Sequence, residues 1–126
     1  MKVEYRDGLL FTTIELVQGG KNKIIENIVI DTGASNTVIS QDCVDDIDIR
    51  FTGKEEIVTT FGIGGKEHAF IKKIDKVILG DLIIEKREMD FTGYIYDDIN
   101  GLLGLDILIK CGFIIDLNDL AIYRNK

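Results

Sequence analysis

The sequence predicts an all-β protein on three observations. Apolar and polar residues alternate through most of the chain, Ile, Val, Thr and aromatic residues crowd those runs, and Gly, Asn and Asp pairs separate them. Tyr5 to Val17 and Lys23 to Ile30 read as a first pair of strands turning at Gly19-Gly20. Ile57 to Phe61 and Lys66 to Ile71 flank a glycine-rich tip, Gly62-Ile63-Gly64-Gly65, as a second hairpin. Lys76 to Leu79 and Leu82 to Glu85 turn at Gly80-Asp81, and Phe113 to Leu117 and Leu120 to Arg124 turn around Asn118-Asp119. Helix signals are few. Ser40-Gln41-Asp42 opens a short helical turn running to about Asp46, with acids placed favourably against the helix dipole. Leu105 to Cys111 reads as a short helix closed by Lys110 and Gly112. The chain has no proline, which leaves its loops to Gly, Asn and Asp.

The 126 residues predict a single domain, 1–126, large enough for one core. No apolar run approaches membrane-spanning length, so no membrane partner is expected. The start Met1-Lys2-Val3-Glu4 lacks the apolar stretch of a secretory signal, and Cys43 and Cys111 are too few for a disulfide framework. We therefore expect reduced thiols and a cytoplasmic location. A net charge of −7 predicts no nucleic-acid partner, because phosphate binding needs a basic surface. Asp45, Asp46 and Asp48 do not have calcium-loop spacing, and a lone histidine, His68, without a Cys-x-x-Cys pair argues against a zinc site. The expectation is no metal and no cofactor.

The most informative stretch is Ile28-Val29-Ile30-Asp31-Thr32-Gly33-Ala34-Ser35, an apolar strand running into a turn of small residues. Gly33 and Ala34 allow backbone and ligand to approach closely, so the Asp31 carboxylate is displayed at the bottom of a cleft. Carboxylate hydrolysis of an amide needs two carboxyl groups sharing a proton, and the chain holds one such turn. The second acid should come from another copy of the chain.

Asp31-Thr32-Gly33-Ala34, then the tip Gly62-Ile63-Gly64-Gly65, then Gly101-Leu102-Leu103-Gly104-Leu105-Asp106 occur in an order that resembles the retropepsins, the single-domain dimeric aspartic proteases of retroviruses and retroelements. The likeness extends through Phe113-Ile114-Ile115-Asp116-Leu117 and Leu120-Ala121-Ile122-Tyr123, which look like the family's closing strands. It implies a retropepsin-like acid protease barrel with a flap hairpin and one short C-terminal helix. It also implies a homodimeric aspartic endopeptidase whose N- and C-terminal strands interleave at the interface.

In that reading Asp31 is the catalytic acid, Thr32 reaches across to the partner's backbone, and the Gly33 amide orients the carboxylate. Leu103 and Gly104 brace the loop, while Ala34, Ser35, Val38, Gly62, Ile63, Gly64 and Leu102 bind a peptide or protein substrate as an added strand. Val38, Leu102 and Ile63 then favour apolar side chains next to the cut. Where retroviral members carry a paired Asp and Arg, this chain has Ser35 and Leu105, and Leu105-Asp106 in that place looks more like the brace of cellular and bacterial relatives. Ala34 offers no hydroxyl to the dyad, which predicts a mildly acidic pH optimum rather than a strongly acidic one. The alternative from another class is a catalytically silent dimerisation or peptide-binding module on the same fold.

Overall fold

A computed structural model describes residues 1–62, 65–93, 95 and 98–124, with side chains for all of these except 60–62 and 65–67. The strands are β1 (Glu4–Arg6), β2 (Leu9–Gln18), β3 (Lys21–Ile30), β4 (Val38–Ser40), β5 (Ile57–Gly62), β6 (Gly65–Leu79), β7 (Leu82–Thr92), β8 (Gly101–Leu103), β9 (Phe113–Asp116) and β10 (Ala121–Arg124). A single short α-helix among the described residues, α1 (Leu105–Lys110), lies between β8 and β9.

Left-handed turn residues set the hairpins. Gly19 and Gly20 take φ of 58° and 80° between β2 and β3, and Gly80 takes 64° between β6 and β7, conformations that glycine adopts without strain. The run Tyr5 to Val17 is not one strand, however. Asp7 and Gly8, at φ of 53° and 78°, fold β1 back on β2 with Glu4 opposite Phe11. Conversely, the expected strands Lys66 to Ile71 and Lys76 to Leu79 are one strand, β6, and Leu82 to Glu85 continues to Thr92 as β7. Pairing from Phe70↔Phe91 to Leu79↔Leu82 carries β6 across its polar middle, because a ladder needs backbone groups rather than apolar side chains.

Ser40 belongs to β4 and makes no side-chain cap. Two 3₁₀ turns, Gln41–Cys43 and Asp45–Ile47, follow it in place of a helix. Three acids in and just after the second turn are paired: Asp45 with Arg50, Asp46 with Lys23, and Asp48 with Lys21 and Arg50.

The main sheet runs β1-β2-β3-β8-β4-β7-β6-β5, and a further pairing of β2 with β6 closes strands two to seven of that order into a barrel. Two joints are parallel, β3 with β8 and β4 with β7, so the chain crosses itself near the ends of β3 and β8. Ile14, Leu16, Ile25, Ile28, Ile39, Ile74, Leu103 and Ile107 fill the interior. Each such side chain adds roughly 1.5–3 kcal/mol by leaving water. Gly101 is forced by this crossing: a Cβ there would lie 2.7 Å from the Val38 carbonyl and 2.8 Å from Ile28 Cδ1. The helix ends as the sequence implies, with Gly112 at φ 67°.

The termini pair within the chain. The Met1 ammonium donates to the Ile122 carbonyl at 2.8 Å, the Ile122 amide to the Met1 carbonyl at 3.0 Å, and the Val3 amide to the Leu120 carbonyl at 3.1 Å. β10 therefore has β9 on one side and its own N-terminus on the other, whereas β9 has an open outer edge among the described residues. No helix among the described residues is long and apolar enough to cross a membrane.

Candidate active site

β3 buries Ile28, Val29 and Ile30 and ends by lifting Asp31 out of the barrel. The Asp31 amide donates to the Leu103 carbonyl at 2.9 Å, one rung beyond the parallel β3–β8 ladder. The chain then turns, with the Ala34 amide on the Asp31 carbonyl at 3.1 Å. Inside that turn the Gly33 amide donates to Asp31 Oδ1 at 2.9 Å, which fixes one carboxylate oxygen. A Cβ at position 33 would stand 3.2 Å from the same oxygen, so the turn is fitted to glycine. Asp31 is partly exposed, and Thr32 and Gly33 are exposed. The arrangement presents a carboxylate with one oxygen held by a backbone donor.

The loop beyond Asp31 rests on the start of α1. The Leu105 amide donates to the Ala34 carbonyl at 2.9 Å and the Asp106 amide to the Ser35 carbonyl at 3.1 Å, so the free N–H groups of the helix N-terminus are taken up by the loop. Gly104 has no room for a side chain: a Cβ there would meet the Asn36 backbone at 2.7 Å and the Ala34 carbonyl at 2.9 Å. Leu103 is buried beneath, and Leu102, partly exposed, sits between Val29 and Val38 in the ladder.

Two side chains to which the motifs gave no role, Thr37 and Asp106, tie this ledge together. Asp106 Oδ1 accepts from the Thr37 amide at 2.9 Å, the Thr37 hydroxyl at 2.7 Å and the Ile107 amide at 2.8 Å. The Thr37 hydroxyl in turn accepts from the Gly104 amide at 3.0 Å. An Asp in the first helical turn is a signal for such capping; its long-range partner Thr37 carries none. Asp106 Oδ2 faces Arg87 Nη2 of β7 at 3.3 Å. Asp90, three residues further along β7, has its carboxyl pushed up to about 6, chiefly by burial and next by the charge of Asp106, against the opposing pull of Arg87. A cavity of about 600 Å³ opens beside this cluster, between β7 and α1.

The remaining expected residues divide. Ser35 is exposed, whereas Ala34 and Val38 are 2% and 7% exposed and lie under the loop, so their side chains offer little surface to a ligand from this protomer. Gly62 ends β5 opposite Gly65 of β6, so the glycine-rich hairpin is present. Ile63 and Gly64 lie outside the described residues. His68 belongs to β6, opposite Thr59. Burial pushes the Cys43 thiol up, which disfavours its thiolate. Among the described residues no three His, Cys, Asp or Glu side chains converge as a metal site requires.

Comparison with known proteins bears on the family and the fold. A family model described as "gag-polyprotein putative aspartyl protease" matches residues 17–110. The fold is similar to that of a retropepsin-like aspartic protease from Rickettsia conorii, known from its crystal structure. The TM-score is 0.67 at 21% sequence identity, covering 96% of this chain and 86% of that one. No curated protein matches the sequence.

Proposed function

Because the chain belongs to the retropepsin-like aspartyl protease family, we propose that it is a homodimeric aspartic endopeptidase in which Asp31 of each protomer forms a catalytic dyad. The observation that carries this reading is the exposed Asp31 turn, braced by Leu103 and Gly104, with Oδ1 held by the Gly33 amide.

Two carboxylates at hydrogen-bonding range cannot both ionise, so the dyad holds one proton. The ionised carboxylate takes a proton from a bound water as its oxygen attacks the scissile carbonyl. The protonated partner donates to the carbonyl oxygen, giving a neutral tetrahedral diol. Collapse of the diol breaks the C–N bond as a carboxyl proton passes to the leaving nitrogen. The dyad takes one proton back from the diol. Water is the nucleophile, and no acyl-enzyme forms.

The open edge of β9 supports a particular mode of pairing. With β10 already flanked by Met1 to Val3 of its own chain, a second copy fits against Phe113–Asp116 rather than by exchanging N-terminal strands. Ile114 and Tyr123, opposite one another on β9 and β10, are 37% and 44% exposed and give this edge an apolar face. Thr32, exposed beside Asp31, would bond the partner's loop. The substrate would lie as an extended strand under the hairpin Gly62 to Gly65, with Leu102 lining a pocket, and hairpin closure would exclude water from the chemistry.

The test is cleavage of a denatured protein or a peptide library. Pepstatin-sensitive cleavage that disappears in Asp31→Asn is expected. Peptide binding without any cleavage would assign the silent module instead.

A further inference from the structure

We propose that Arg87 is a positioning residue for the Asp31 loop: its guanidinium keeps the Asp106 carboxylate seated on Thr37 against the repulsion of Asp90. This inference rests on the proteolytic reading for its kinetic consequences, but the positioning itself is a property of the folded chain.

Asp106 is the only side chain shown to hold Thr37 by both its amide and its hydroxyl, and Thr37 follows directly on the loop whose carbonyls cap α1. Three donors converge on Oδ1, while among the described residues Oδ2 meets Arg87 at 3.3 Å. Asp106 and Asp90 repel one another, and Glu56 and Glu88 add to the negative charge felt by Asp90. Around the adjoining cavity, Glu85, Lys86, Lys110 and Arg124 are the other charged groups among the described residues. Arg87 is the cation that acts on both carboxylates.

Arg87 is an expensive choice for packing alone. Its side chain is 19% exposed, and its Nε–H is buried with no hydrogen-bond partner among the described residues. An apolar residue of similar volume would avoid that unmet donor. What an apolar residue cannot do is neutralise two neighbouring carboxylates at once. Without the guanidinium, Asp106 swings from Asp90, Thr37 loses its anchor, and the ledge under Ala34 to Asn36 loosens.

The repulsion requires Asp90 to be ionised, which gives the proposal a pH signature. Removing Arg87 also removes the charge that holds the Asp90 carboxyl down, so Asp90 in the variant ionises at higher pH than in the parent. Cleavage by Arg87→Met should show kcat reduced about tenfold near pH 8 but less than about threefold near pH 5, with KM within about twofold, as expected for misplacement of a catalytic group. The double variant Arg87→Met/Asp90→Asn should recover to within about threefold of the parent near pH 8. A loss equal at both pH values, a loss confined to KM, no loss, or no recovery by Asp90→Asn would each overturn it. Amide hydrogen exchange at Thr37, compared between variants at one pH, reads the positioning without a substrate. Faster exchange in Arg87→Met that Asp90→Asn reverses upholds it even if the parent cleaves nothing, in which case the protease reading alone falls. Unchanged exchange overturns the positioning whether or not the parent is active.

Discussion

The amide of Asp31 and the carbonyl of Leu103 are joined by a 2.9 Å hydrogen bond that continues the parallel pairing of β3 with β8. The acid-bearing turn and its brace, far apart in sequence, are therefore consecutive rungs of one ladder. A displacement of β8 moves the carboxylate directly, which makes the brace as sensitive to substitution as the turn.

Gly104→Ala should damage the site without touching the acid. The added methyl would meet the Asn36 backbone at 2.7 Å and the Ala34 carbonyl at 2.9 Å, contacts that no side-chain rotation relieves. Denaturant unfolding should show about 1–3 kcal/mol of lost stability. Cleavage should fall more steeply than the folded fraction.

Thr37→Val keeps the shape of a buried residue and deletes its hydroxyl. The Gly104 amide then loses its acceptor and Asp106 one of its donors. A loss of about 1–3 kcal/mol in unfolding free energy, read as a lower denaturant midpoint with the slope unchanged, is expected. Wild-type stability in this variant would remove the ledge from the account.

Asp90 gives stability a dependence on pH. Its carboxyl is raised from 3.8 to about 6, so the folded chain holds this proton more tightly than the unfolded chain. The linkage sign is then fixed: stability contributed by the protonated form is present in acid and lost as pH rises from about 4 to about 6, staying lost above. Allowing for a half-exposed carboxyl, the penalty at neutral pH is about 1–2 kcal/mol. Asp90→Asn should thus melt higher than the parent near pH 7 and with it near pH 4. A constant difference across that range would contradict the assignment.

Ile114→Lys should separate dimerisation from folding. Ile114 is 37% exposed on the open strand β9, so a lysine there leaves the protomer core intact while opposing edge-to-edge pairing. Sedimentation should show a folded monomer without peptidase activity. The net charge of −7 also predicts that added salt strengthens the parent dimer. A fully active dimer in Ile114→Lys would place the interface elsewhere.

Legibility from sequence followed the range of the interactions involved. The strand into Asp31, the Gly33 turn, the hairpin at Gly19-Gly20 and the helix stop at Gly112 are each written in adjacent residues, and they stand where the sequence implied. The turn at Asp7-Gly8 was obscured because Tyr5 and the residues of β2 keep a strand-like composition across it. The three-residue strands β4 and β8 are too short to show a period, and β6 hides behind Lys72, Lys73, Asp75 and Lys76. The link from Arg87 to Asp106 to Thr37 joins three separated segments, so only the folded chain brings it together. The Met1–Ile122 pairing within the protomer is of the same kind.

The separation of the two Asp31 carboxylates in the dimer, measured by crystallography with a pepstatin-type ligand bound, tests the central claim most directly. The account predicts carboxylate oxygens within about 3.2 Å of one another or bridged by one shared water. Paired copies that bury each Asp31 against unrelated surface, with the carboxylates out of mutual reach, would contradict it.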